Sequence, residues 1–404
     1  MTEYVLCNIQ TGDKVLKLPV LTGPWSNRVG AHDSVRVTVD MNDPDVIALK
    51  LRNSATPGMT ALHVVEGGVI VAGGPIWTDS YDDDAKTLEL NALGWGSLLD
   101  HRSIIPLLAA SLGVTEWTVP DPADPEKTIL NPLLVTTING VSLGTIAKRL
   151  VQQAFLWAGG SFPIVYPPDE AGDSERTYPG SDFKPIMEAL DQISGTDNGP
   201  EFNFTPRWTA DKLGVEVLME TGTIAQPLIT SDASLRWDVT RPETPVSNLV
   251  ITRDAGEMGS LAWQTGGRSQ DKVLVARAYD ATLIDAGFPL LELVDSSHSS
   301  VSEQSTLDDY AAVDVANGRR HAELWSMTVK AHPVDSEGKR SGPSVEQYRT
   351  GDFADLIFCK YNPETGAGKA YLPAGGTFRQ RIVGRSGDEK GIDIKIQFAP
   401  SIGA

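Results

Sequence analysis

Residues 61–102, ALHVVEGGVIVAGGPIWTDSYDDDAKTLELNALGWGSLLDHR, constrain the fold more than any other stretch. Leu62 and Val64, then Val69 and Val71, lie in two short apolar runs split by Gly67-Gly68. That dipeptide suits the tight turn of an antiparallel hairpin. A third strand is expected at 87–90, beyond the acidic tip Asp82-Asp83-Asp84. The period then changes, and Trp95, Leu98 and Leu99 share one side of a short amphipathic helix. Nothing here has catalytic character. The block reads as one corner of a β-domain built for assembly into something larger.

A chain of 404 residues exceeds one ordinary core, so two or three domains are expected. With 41% hydrophobic and 22% charged residues it is globular. Its 38 Gly and 26 Pro favour turns and short strands over long helices. No uninterrupted apolar window reaches about 18 residues, which predicts no membrane span. The opening MTEYVLCNIQTGDKVLKLPV reads as strand and turn rather than as a secretory signal. Net charge is −19, from 34 basic and 53 acidic residues, against a protein that grips phosphates with a basic face. Such a surface serves solubility, and it also suits a wall that DNA must pass without sticking. Cys7 and Cys359 lie near opposite ends in apolar contexts. They predict free, buried thiols in a chain folded in a reducing cytoplasm, with no disulfide framework.

Along the chain, strands are expected at 4–9 and 14–18 around Thr11-Gly12-Asp13, and at 34–39 with Val35, Val37 and Val39 inward. A helical stretch continues through 104–112, and 118–132 reads as a proline-rich acidic loop. Ser142 is a plausible N-cap for a helix carrying Ile146, Leu150, Val151, Ala154 and Leu156 on one face. Residues 167–181 read as a disordered-looking loop. A second helix follows, with Pro185 in its first turn and Phe183, Ile186, Met187, Leu190 and Ile193 on one face. Then 201–208 and 212–222 suggest an antiparallel pair. The remainder returns to strands at 237–239, 248–252, 327–331, 356–360, 378–386 and 391–398, the last with Ile392, Ile394, Ile396 and Phe398 inward. Residues 256–267 read as a glycine-rich connection. One helix interrupts from Ser305 or Thr306, with Gly318 in mid-course and Arg319, Arg320 and His321 near its end. No period of about 20–50 residues repeats.

Asp82–Asp84 is a hairpin tip where like charges crowd in solvent, not a glycosidase pair. The offsets of a calcium loop are absent as well. His32, His63, His101, His298, His321 and His332 are scattered singly, without HExxH or an i, i+4 pair. His101 suits a helix cap beside Asp100 and Arg102. Nucleophile-elbow, P-loop and dinucleotide glycine motifs are missing. Trp25, Trp77, Trp95, Trp157, Trp208, Trp237, Trp263 and Trp325 fall one per element, as core or interface anchors do, rather than as a carbohydrate platform. No catalytic, cofactor-binding or metal residue is assigned. No enzymatic activity and no cofactor are expected.

The order of several fragments nevertheless carries a resemblance. GGVIVAGGPIW and TLELNALGWGSLLDHR are followed by EFNFTPRW, VSNLVITRDAG, GFPLLELVDSS, STLDDYAAVDVANGRR with AELWSMTV, YRTGDFADLIF and GTFRQRIVGRSGDEKGIDIKIQF. In this succession, nearly the whole chain resembles the minor tail proteins of siphophages infecting actinobacteria, specifically their tail hub proteins. Residues 120–132 and 256–267 depart from the pattern. The resemblance implies an α+β, mainly β fold, with two tail-tube-like β-barrel or sandwich domains at 1–135 and 231–404 joined by an α+β insert at 136–230. It implies a homotrimeric ring of pseudo-sixfold symmetry at the virion tail tip, assembled in the host bacterial cytoplasm. Implied partners are the distal tail protein, the tape measure protein and tail-tip or receptor-binding proteins, with DNA passing through the lumen without specific binding. Two other readings remain: a tail-tip carbohydrate-binding or cell-wall-degrading protein, and a hexameric distal tail protein. An obligate assembly protein should expose many apolar residues as a single chain.

Overall fold

In a computed structural model, residues 2–113, 116–196, 198–269, 272–296 and 304–402 are described. The fold is α+β and mainly β, with many short strands and few helices. The chain divides into two compact units, Met1–Ser247 with Thr328–Ile396, and Asn248–Met327 with Gln397–Ala404.

In the first unit, the large sheet runs Gly376–Gly387, Trp25–Arg28, Ser34–Asp40, Thr87–Leu93, Val69–Asp82, Thr60–Glu66, Glu3–Asn8 and Lys14–Leu18. Phe353–Phe358 pairs with Gly376–Gly387, and Leu235–Asp238 adds a parallel strand beyond it. Trp25–Arg28 is the link that places early and late parts of the chain in one sheet, through Arg28↔Gly384 and Trp25↔Gly387. The expected hairpin closes on Gly67 and Gly68, both at positive φ (57° and 81°), as a two-residue turn with the twist of its strands requires. Val35, Val37 and Val39 are buried, as their alternation predicts.

The middle of the chain packs onto this sheet. Leu143–Phe155 starts where expected, because Ser142 Oγ accepts the Thr145 amide. Ile146, Leu150 and Val151 of that helix, and Ile186, Leu190 and Ile193 of Ile186–Ser194, share one core with Val5, Cys7, Trp95 and Leu99. Phe202–Trp208 and Val215–Thr221 form the expected antiparallel pair. Each large aliphatic side chain buried here contributes about 1.5–3 kcal/mol.

The second unit has a three-stranded sheet, Lys272–Tyr279, Leu261–Ser269 and Glu292–Asp295, with the Gln304–Asn317 helix on one face. Leu307, Ala311 and Val315 meet Ala262 and Ala276.

Several expectations need correction. Residues 118–132 hold a hairpin, Thr118–Asp121 with Asp124–Leu130, and Ala171–Pro179 pairs with Val135–Val141. Both are largely solvent-exposed ribbons, so polar residues and prolines are tolerated. The helical stretch after Asp100 does not continue: Ser103 bridges Pro185, and Pro106 precedes only a short 3-10 turn at Leu107–Ala110. Leu156 caps its helix and is exposed. Pro185 is the residue before helix Ile186–Ser194, and Phe183 lies outside it at φ 48°, exposed. Within 256–267, residues 261–267 belong to a strand, with a bulge between Thr265 and Arg268. Ser305 and Thr306 lie inside their helix, which ends at Asn317, so Gly318 follows it. The Gly318 Cα sits so close to Gly259 that a Cβ there would meet the Gly259 backbone. Ile392 is exposed, and Cys359, unlike Cys7, is exposed as well. His298 lies outside the described residues.

Candidate functional site

Three arginines from the last part of the first unit fasten the other parts of that unit to one another. Arg381, on Gly376–Gly387, grips Glu201 with both Nη atoms (2.7 and 2.5 Å) and donates to the Ile229 carbonyl (2.9 Å). Such a forked pair fixes orientation as well as charge. Arg349 Nη1 reaches Glu220 Oε1 at 2.5 Å. Arg385 is buried and donates to three carbonyls, Tyr348 (2.6 Å), Val71 (3.2 Å) and Val345 (3.3 Å), while its guanidinium faces the Trp25 and Tyr348 rings. Beside it, buried Asp33 accepts from Asn27 Nδ2 (2.7 Å) and the Gly73 amide (3.2 Å). Burial pushes the Asp33 carboxyl up to about 6, against the opposing pull of these bonds and of Arg385.

Asp33 also lines a cleft of about 320 Å³ with His32, Trp95, Asp100, Asp191 and Phe204. The His32 Nε2 lies 2.8 Å from Asp100 Oδ2. Burial, with the Asp100 carboxylate nearby, holds Asp191 above the usual carboxylate range. Sequence spacing gives no sign of this grouping, because its members come from four separated segments. Among the described residues, no group of three or more His, Cys, Asp or Glu side chains could hold a metal ion.

Of the residues singled out by sequence, His32 and Trp95 line this cleft and Trp25 faces Arg385, while most of the others fall elsewhere. Asp82 closes its own turn by accepting from the Asp84 and Ala85 amides, and Asp83 pairs with Lys86 at 2.7 Å. His63 is buried and accepts from Trp95 Nε1 at 3.1 Å, and burial lowers its pKa to about 3. His101 caps its helix as expected, with its ring 4.5 Å from that of Trp77. Trp25, Trp95, Trp237 and Trp325 are core residues. Trp117 drew no attention in the sequence, yet it stacks on Phe183 at 5.7 Å.

The second unit carries an uncovered face. Alternation sends Ala262, Gln264 and Ala276 towards the helix and leaves Val273, Val275, Tyr279 and Val294 exposed on the opposite side. Register places Tyr279 beside Leu261, and Val294 beside Trp263, with the exposed Arg277 and Glu292 set among them against the Trp263 ring. Val294 is 71% exposed. A mixed face of exposed apolar and charged side chains is a candidate interaction surface. No helix among the described residues is long and apolar enough to cross a membrane.

No protein-family model and no curated protein sequence matches this chain. Its fold does match solved structures. A tail protein from Neisseria meningitidis superposes with a TM-score of 0.51 at 15% identity, over 98% of this chain and 96% of the other. The 43 kDa tail protein of prophage MuSo2 from Shewanella oneidensis gives 0.52 at 12% identity, over 99% and 98%. The chain shares their fold from end to end.

Proposed function

We propose that this chain is a structural protein of a phage tail, the hub at the distal end of the tail tube. In this reading three copies form a ring of pseudo-sixfold symmetry, with tube-like β-domains at 1–135 and 231–404 and an α+β insert at 136–230. It joins the tube and distal tail protein to the tail tip, contacts the tape measure protein, and lets DNA pass. The ring assembles in the host cytoplasm and stays at the virion tail tip. One observation carries the reading: the fold likeness to two tail proteins, over 98–99% of this chain and 96–98% of theirs. The uncovered face of the second unit supports it, since a surface of that kind suits an assembly. Part of the −19 charge would line the lumen, where phosphates meeting a basic wall would be held. Gold-labelled antibody on intact virions tests the placement. Label at the distal tail end is expected; label on the head or along the tube contradicts it.

The second reading, a cell-wall-degrading tail-tip protein, has one observation in its favour: Asp100 and Asp191 share a cleft. Two carboxyls in unlike environments are what glycoside hydrolysis uses. Here Asp100 is engaged by His32, and Glu201 of the same cleft is held by Arg381. The structural reading therefore expects no release of sugar from host cell wall. Release that disappears in Asp191→Asn would favour the hydrolase.

A further inference from the structure

We propose that buried Arg385 and Asp33 are joined through one or two internal water molecules held in a small cavity of the first unit. The cavity measures about 30 Å³, and its wall includes Asn27, Asp33, Thr205, Arg349, Thr350 and Arg385. A space of about 10–15 Å³ suffices for one water, provided two to four polar partners surround it. Those partners are present. Arg385 is 7% exposed and spends its Nη donors on carbonyls rather than on Asp33, and its Nε–H has no protein acceptor. Arg349 likewise has an unaccepted Nε–H on the same wall. Asp33 receives one protein donor on each oxygen, and a carboxylate oxygen accepts about two. Water accepts from an Nε–H and donates to the carboxylate, which satisfies both groups at once.

Charge selects water over an anion of similar size. Arg385 is offset by Asp33, and Arg349 is paired with Glu220, so the wall is close to neutral. A halide would also face the Asp33 oxygens. The bridge would couple Asp33, close to the hairpin residues Ile70 and Val71 that also line the cavity, to the late strand carrying Arg385. This proposal is independent of the tail reading.

The full chain crystallised and diffracting to high resolution, with and without a bromide soak, tests it. A density peak at about 2.7–3.2 Å from Arg385 Nε and from an Asp33 oxygen, without anomalous signal after the soak, is expected. A bromide signal, a dry cavity, or direct Arg385–Asp33 contact overturns the proposal. Val71→Ile adds one methylene to the cavity wall and gives a second readout. Displacing a bound water leaves Nε–H unpaired, so the melting temperature should fall by a few degrees. An unchanged or raised melting temperature indicates that a dry void has been filled, and overturns the proposal.

Discussion

At the scale of single residues, buried ionisable groups set how the protein responds to pH. Asp33 titrates near 6 in the fold and near 3.8 when unfolded. Its protonated form is thus favoured by folding. The stability it contributes is full below about 3.8 and is lost as pH rises through about 6, on the order of 2–3 kcal/mol in all. His63 acts in the opposite sense. Its pKa falls from 6.5 to about 3, so the stability tied to its neutral form is present above 6.5 and is lost on acidification towards 3. Asp33→Asn should therefore leave a stability curve that falls more steeply on acidification between pH about 6 and 4. Urea titrations across that range would read the change; identical slopes in the two proteins would contradict it. Arg381 gives a sharper case. Arg381→Ala strands the largely buried Glu201 and should cost about 3–5 kcal/mol, whereas the Arg381→Met, Glu201→Leu double variant should recover much of that loss. None of these roles was legible in the sequence. Arg381 meets Glu201 across 180 positions, and Arg385 meets Val71 across 314, distances at which spacing carries no signal.

At the scale of elements, legibility followed burial on one face. Ser34–Asp40 alternates buried and wetter positions, and Leu143–Phe155 repeats its apolar residues at the helical period although Gln152 is its one exposed residue, so their periods gave them away. The ribbons at Thr118–Leu130 and Ala171–Pro179 lack such a pattern, because both sides are largely wet. The glycine pairs divide by role. Gly67 and Gly68 supply positive φ, so replacing both by alanine should cost about 1–2 kcal/mol per residue without altering the strands. Gly74 instead makes room: a Cβ there would fall 2.0 Å from the Leu93 carbonyl. Gly74→Ala should separate Val69–Asp82 from Thr87–Leu93 and yield little soluble protein, and normal expression with an unchanged melt would refute this.

At the scale of the whole molecule, the mainly β character and the full-length order of fragments were readable. The pairing of Trp25–Arg28 with the late strand was not, since residues 25–28 are short and weakly patterned. The uncovered face of the second unit was equally hidden, because period marks which residues share a face but not which face is covered. If that face is an assembly surface, Val275→Asp with Val294→Asp should dissociate the oligomer while leaving the thermal melt of the single chain nearly unchanged. Loss of folding, or an intact oligomer, would argue against this role. The hub reading itself stands on one number, the mass of the purified oligomer in solution. Native mass spectrometry should give three times the chain mass; six times the chain mass, or a monomer at every concentration, contradicts the trimeric hub.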